Sequence, residues 1–200
     1  LEVNSEFDFW RKIPIKDRCQ YFKYLAEAIQ MRKDEFARLM ALEMGKPLSQ
    51  GIVELEKCAW VCNYYADNGE KFLADQNIIT DASESYVSFQ PLGVILAIMP
   101  WNFPFWQVFR FVAPAMIAGN VAVLKHASNV QGCADAIEGL FIEVGIPNNT
   151  FRNLTIDSSK VDYVIENPFI KAVSLTGSTS AGKSVAQKAG SVLKKTVLEL

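Results

Sequence analysis

Histidine is nearly absent from this chain, with His126 alone among 200 residues. A transition-metal site would have to be built from thiolates and carboxylates, and these do not cluster, so no structural metal is expected. Cysteine is scarce as well. Cys19, Cys58, Cys62 and Cys133 show no framework spacing and read as small buried hydrophobes or inert helix thiols in a reducing compartment. No apolar run reaches membrane-spanning length, the longest being Val94 to Pro100, and no signal-like segment precedes the first helical pattern. The expectation is a cytoplasmic protein with no membrane partner. An excess of one charge is also missing: 20 Lys and Arg are scattered among 22 Asp and Glu, without the basic stripe that neutralises a phosphate backbone, so nucleic acid is not an expected partner. Finally, no strand is followed by G-x-G-x-x-G, the usual dinucleotide fingerprint.

What is present is a chain that is 50% hydrophobic and 21% charged, long enough to bury one sizeable core. It opens on Leu1 and stops at Leu200 inside the apolar stretch Val197-Leu198-Glu199-Leu200, which suggests an excerpt of a longer protein. From Ile13 to Ala74 the pattern is helical, in three pieces. The first carries Phe22, Leu25, Ala26 and Ile29 at helical spacing. The second runs from Asp34 to a stop at Gly45-Lys46-Pro47, and the third opens at Ser49. Nothing on these helices reads as chemistry. Between Ser83 and Gln90 two alternating faces predict an exposed strand of a small accessory sheet, a plausible element for pairing between subunits of a homo-oligomer.

From Pro91 the texture changes to strand and helix in turn. Strands are expected at Val94–Ile98, Val121–Lys125, Phe151–Thr155, Lys171–Thr176 and Thr196–Leu200. Helices are expected near Pro104–Ala118, Gln131–Val144, Lys160–Glu166 and Gly182–Ala189. Short strands separated by helices signal βαβ units, and the first is unbroken apolar, as for a strand buried on both faces. The fold expectation is α/β, a doubly wound parallel sheet in a Rossmann-like domain over residues 91–200. It is preceded by a helical part (1–75) and accessory strands (76–90), with ligands beyond the carboxyl ends of the strands.

One motif competes for the functional reading. Gly177-Ser178-Thr179-Ser180-Ala181-Gly182-Lys183-Ser184 matches the phosphate-cradling pattern G-x-x-x-x-G-K-[ST] between a strand and a helix, which would make a nucleotide triphosphatase. It follows a late strand rather than an early one, and no Mg²⁺-holding acid after an apolar strand accompanies it. Two glycines at such a turn can equally face the pyrophosphate of a dinucleotide.

Several motifs in register tip the balance. Pro91-Leu92-Gly93-Val94 through Met99-Pro100-Trp101-Asn102-Phe103-Pro104, then Ala118-Gly119-Asn120 and Val123-Leu124-Lys125, then Leu175-Thr176-Gly177-Ser178-Thr179 and Leu198-Glu199-Leu200 resemble the aldehyde dehydrogenase superfamily, and the helical lead-in with Leu42-Glu43-Met44-Gly45-Lys46-Pro47 fits as well. The resemblance implies covalent catalysis, in which a cysteine thiolate adds to an aldehyde, hydride passes to NADP or NAD, and water releases the acid. It makes Asn102 the oxyanion donor and Glu199 the general base for hydrolysis, desolvated in an apolar strand. On the residues alone, Asn102 before Phe-Pro is also an ordinary helix cap. Met99, Pro100, Trp101, Lys125, Ser128, Gly177 and Ser178 would hold the cofactor. Phe103 and Arg110 would meet the substrate, with Arg110 like the arginine that succinate-semialdehyde dehydrogenases use for the far carboxylate. At helical spacing Arg110 shares a face with Phe103 and Gln107 on the wall of the presumed aldehyde tunnel. The family's cysteine would lie beyond residue 200, so this stretch by itself is expected to be inactive. Lys125-His126-Ala127-Ser128 lacks the acid that many members carry at the Ser128 position, which admits NADP. Asp157-Ser158-Ser159 replaces the glycine that commonly lies under the adenine.

Overall fold

The computed structural model describes residues 2–200. Three helices lead the chain: α1 (Glu2–Trp10), α2 (Ile15–Met44) and α3 (Leu48–Phe72). The helix expected in two pieces is one unbroken α2, because the charged stretch from Arg32 to Asp34 contains no glycine or proline to interrupt it. Gly45, at φ 75°, ends α2 in the left-handed conformation, and Pro47 leads into α3. The short α1 was not legible; it is tied down from outside by Trp10, whose indole N–H donates to the carbonyl of Met116 at 2.9 Å.

The accessory element is smaller than expected: β1 (Gln76–Asn77) pairs antiparallel with β2 (Tyr86–Val87), and both are exposed. Without a buried face, the rest of Ser83–Gln90 has nothing to hold it as strand.

The remaining chain alternates as expected: β3 (Val94–Met99), α4 (Trp106–Ile117), β4 (Val121–His126), α5 (Gln131–Glu143), β5 (Phe151–Asn153), α6 (Val161–Glu166), β6 (Ile170–Thr176), α7 (Thr179–Ser191) and β7 (Lys195–Glu199). The five long-range strands form one parallel sheet in the order β5-β4-β3-β6-β7. Beginning at β3, the chain first winds outward through β4 and β5, then returns to lay β6 against β3. The switch point therefore lies between β3 and β6, where open α/β sheets bind ligands. The Asn120 side chain fixes the start of β3, its Oδ1 accepting from Leu92 N–H (2.7 Å) and Gly93 N–H (3.2 Å) while its Nδ2 donates to Ala115 (2.9 Å). Gly119 precedes it at φ 94°, a conformation that suits glycine. The Ala118-Gly119-Asn120 motif is thus a structural clasp.

Behind α4 and α5 lies the α2–α3 pair. Phe36 of α2 stacks on Phe105 at a centroid separation of 5.2 Å, and Phe141 of α5 stacks on Phe151 at 4.5 Å. Each such fully buried ring contributes about 1.5–3 kcal/mol of transfer free energy, so this layer anchors the start of α4 from behind.

Candidate active site

All the candidate residues fall at the carboxyl edge of the sheet, but in two different settings. The first is the loop between β3 and α4. Trp101, Asn102 and Phe103 are exposed there, whereas Pro104 and Phe105 are buried. Asn102 does not cap α4, which begins four residues later. The cap comes from α3: one carboxylate oxygen of Glu54 accepts from the N–H groups of Phe105 and Trp106, both at 2.9 Å. The other oxygen pairs with the ammonium of Lys46, which donates to the carbonyl of Asn102 at 3.0 Å and lies 3.9 Å from the centre of the Phe103 ring. The side chains of this ion pair are only 5% and 1% exposed. His126, also buried, bonds through Nε2 to the carbonyl of Pro104 at 2.9 Å, and its Nδ1 accepts from Ala127 N–H at 2.9 Å. This pattern assigns the proton to Nε2. Burial holds His126 below the usual imidazole range.

Facing it across β3 is the second setting. An open groove of about 740 Å³ runs along β3, β6 and β7 beneath α4, lined among others by Met99, Trp106, Arg110, Thr176, Val197 and Glu199. Trp106 stands one turn before Arg110 on this wall; Phe103 and Gln107, expected there, do not line it, and Gln107 turns into the protein. Arg110 is ion-paired with Glu199 and donates through Nη2 to the hydroxyl of Thr176 at 3.1 Å; that hydroxyl is 3.3 Å from Glu199 Oε2. Partial burial lowers the arginine's pKa. The desolvation expected for Glu199 is not found, because β7 is an edge strand and the glutamate side chain remains 55% exposed.

The cofactor candidates are spread over three strand ends. Met99 closes β3 and is buried, with Pro100 following it. Lys125 lies beside Ile98 near the end of β4, half-buried and without a hydrogen-bond or ion-pair partner among the described residues. Ser128 is exposed where the chain turns into α5. Gly177 uses its N–H on the carbonyl of Glu199 (3.0 Å), so it has no amide left for a phosphate. Ser178 caps α7, its Oγ accepting from Ala181 N–H at 3.3 Å. The N–H groups of Ser178, Thr179 and Ser180 have no partner among the described residues.

The connecting helices differ in what meets their N-termini. Glu54 fills the N-terminus of α4, and Glu43 that of α5, accepting from Gly132 and Cys133 N–H at 2.7 and 2.8 Å. Asp157 accepts from Ser159 N–H at 2.8 Å in the turn before α6. Asp157 thus serves the 3-10 turn Ser158–Lys160, and the six-residue α6 starts after Lys160 with no side-chain cap of its own; of the three long connecting helices only α7 begins behind a neutral cap. An anion at this edge has one helix N-terminus open to it, beside the switch point.

The phosphate-loop reading does not survive. Thr179 through Ser184 already belong to α7, which starts three residues earlier than expected, so no extended loop remains to wrap a triphosphate. At Gly182 an added Cβ would meet the Leu200 side chain, which makes that glycine a packing position.

The aldehyde dehydrogenase family model matches residues 2–200. The chain belongs to the aldehyde dehydrogenase family. A relative from Synechocystis sp., named probable succinate-semialdehyde dehydrogenase (NADP+), is 50% identical over 207 residues, covering 100% of this chain and 46% of the relative. One from Mycobacterium avium, named succinate-semialdehyde dehydrogenase (NADP+), is 44% identical over 96% of this chain and 42% of its own length. The crystal structure of a succinic semialdehyde dehydrogenase from Streptococcus pyogenes in complex with NADP+ superposes with a TM-score of 0.96 at 38% identity, covering 99% of this chain and 44% of that one. The chain spans under half the length of the curated relatives it matches.

Within this aldehyde dehydrogenase chain, the residues that hold the Asn102 loop escaped the sequence reading. Glu54 could have been found: it sits on the buried stripe of α3 with Gly51, Leu55 and Cys58, a charge at a core position. Cys19, Cys58, Cys62 and Cys133 are all buried, and desolvation raises each thiol's pKa, so none is poised as a nucleophile. Among the described residues no cluster suited to a metal ion forms, and no helix is long and apolar enough to cross a membrane.

Proposed function

We propose that the protein carrying this chain oxidises succinate semialdehyde to the dicarboxylic acid with NADP+ and water, and that these residues supply its cofactor edge, oxyanion donor, general base and substrate arginine. The observation that carries the reading is the α7 N-terminus. Among the described residues it is the one start of a long connecting helix at this edge without a protein carboxylate, and it opens next to the Arg110–Glu199 groove.

The donor set fits a phosphorylated dinucleotide. The free N–H groups of Ser178, Thr179 and Ser180 and the α7 dipole suit a pyrophosphate, and unpartnered Lys125 suits ribose hydroxyls. Ser128 presents no carboxylate to repel a 2′-phosphate, in keeping with relatives named for NADP+. When bound, the nicotinamide supplies the hydride acceptor that makes the net reaction an oxidation. The Asn102 side chain donates to the oxygen on which charge develops, from a backbone that does not have to reorganise. A thiolate from elsewhere in the protein is the nucleophile, since the cysteines here are buried. Glu199 accepts a proton from the attacking water in the hydrolytic step. Arg110 keeps Nε and Nη1 without a protein partner among the described residues, leaving donors for the far carboxylate of the substrate. The exposed β1–β2 pair is a fitting arm for homo-oligomer assembly.

The test is Arg110→Ala in the full-length protein. KM for succinate semialdehyde rises at least about tenfold, as for the loss of about 1.5–3 kcal/mol of charge-assisted bonding, while an uncharged aldehyde of equal length is turned over almost as before. Equal losses on both aldehydes would return Arg110 to a structural role.

A further inference from the structure

Side chains from three distant segments hold the main chain that carries Asn102. Lys46 takes the carbonyl of Asn102, His126 that of Pro104, and Glu54 the N–H groups of Phe105 and Trp106. The two remaining carbonyls, of Phe103 and Phe105, accept from Gln107 N–H at 3.1 Å and Phe109 N–H at 2.9 Å at the start of α4. The carbonyls from Asn102 to Phe105 and the N–H groups of Phe105 and Trp106 are thus all held, while the Asn102 side chain stays exposed.

A buried ion pair is a poor device for stability alone, because desolving two charges offsets most of their attraction, and apolar residues of equal volume do as well. Lys46 and Glu54 are fully committed to the loop: beyond their bond to each other, their polar contacts go to residues 102, 105 and 106. The same carboxylate that steadies the Asn102 peptide also sets the first turn of α4, and Arg110 follows on that helix. The pair therefore fixes the separation between the oxyanion donor and the arginine that reads the substrate's far end.

We propose that Lys46 and Glu54 are positioning residues for the reaction, holding Asn102 in donor geometry through its own carbonyl. The inference rests on Asn102 being the oxyanion donor. It is tested in the full-length protein with the neutral, near-isosteric pair K46M/E54Q, which leaves an amide oxygen to accept from Phe105 and Trp106, together with N102A and the triple variant. The readouts are the single-turnover rate of NADPH formation and the Kd for NADP+. K46M/E54Q lowers the single-turnover rate at least tenfold and leaves the Kd within twofold. Added to N102A, it lowers the rate by no more than a further twofold, because its effect runs through a side chain already gone. Losses that multiply in the triple variant, an unchanged rate in K46M/E54Q, or a Kd that weakens in step with the rate would overturn the proposal. If N102A alone leaves the rate intact, the oxyanion reading itself fails and the positioning role falls with it; a slow K46M/E54Q beside a normal N102A separates that failure from the others. Should K46M/E54Q not fold, E54Q alone carries the same comparison.

Discussion

The two walls of the site are made differently. On the β3–α4 side the loop is gripped by buried side chains from the α2–α3 turn, α3 and β4, and its charges are satisfied before any ligand arrives. On the β6–β7 side Glu199 stands half in solvent on an edge strand and the α7 N-terminus is open. In the proposed reaction the first wall pre-organises the electrostatics where charge develops, at a cost met by folding. The second leaves donors free among the described residues, which in the proposed function cofactor and substrate satisfy. Losing a gripping residue of the first wall should therefore cost stability as well as rate, whereas losing one from the second should cost rate with little stability.

The sharpest break is in stability. Glu54→Ala strands a buried ammonium and two amides and should cost about 3–5 kcal/mol in denaturant unfolding, whereas Glu199→Ala, removing a largely solvated partner, should cost less than about 1 kcal/mol. Similar costs would erase the distinction. In kinetics the order reverses on the open wall: Glu199→Gln in the full-length protein should preserve a burst of NADPH yet slow steady turnover about 10²-fold, because the base serves water rather than the first attack. Loss of the burst together with turnover would put Glu199 at an earlier step.

Much of the open wall was legible. The strands announced themselves as apolar runs between turns, and Gly177, Ser178 and Glu199 lie in local motifs, because a strand end and the turn after it are contiguous in the chain. On the other wall the loop motif was legible as well, but the grip on it was not. Lys46, Glu54 and His126 meet the Asn102 loop across long sequence separations, and each, seen locally, is a surface-like residue beside a helix stop, within a helix or at a strand end. Burial distinguishes them, and of the three only Glu54 leaves a trace in the sequence, as a charge on the apolar stripe of α3. Alternation over Ser83–Gln90 overstates the strand because no buried face holds it, and Gly182 is too late a start for α7 because Ser178 already caps that helix.

Smaller effects sharpen the comparison further. Ser128→Glu should shift preference from NADP toward NAD by about tenfold, the scale of about 1.4 kcal/mol for placing a carboxylate near a 2′-phosphate. Negligible NADP turnover with Ser128 in place would contradict the premise. The mildest effect belongs to His126. Its folded pKa is depressed below 6.5 by burial, so the unfolded chain binds the proton first as pH falls. Stability contributed by the neutral ring is complete above pH 6.5 and declines as pH drops from there to the folded pKa. His126→Gln should flatten that part of the stability profile; an unchanged slope would mean another group titrates there.

The contrast between the walls is tested most directly by amide hydrogen exchange on the full-length protein, with and without saturating NADP+. The amides of Phe105 and Trp106 should exchange slowly in both states, since Glu54 already holds them. Those of Ser178, Thr179 and Ser180 should exchange fast without the cofactor and become protected on its addition. Protection gained at Phe105 and Trp106 instead, with no change at Ser178 to Ser180, would contradict the account.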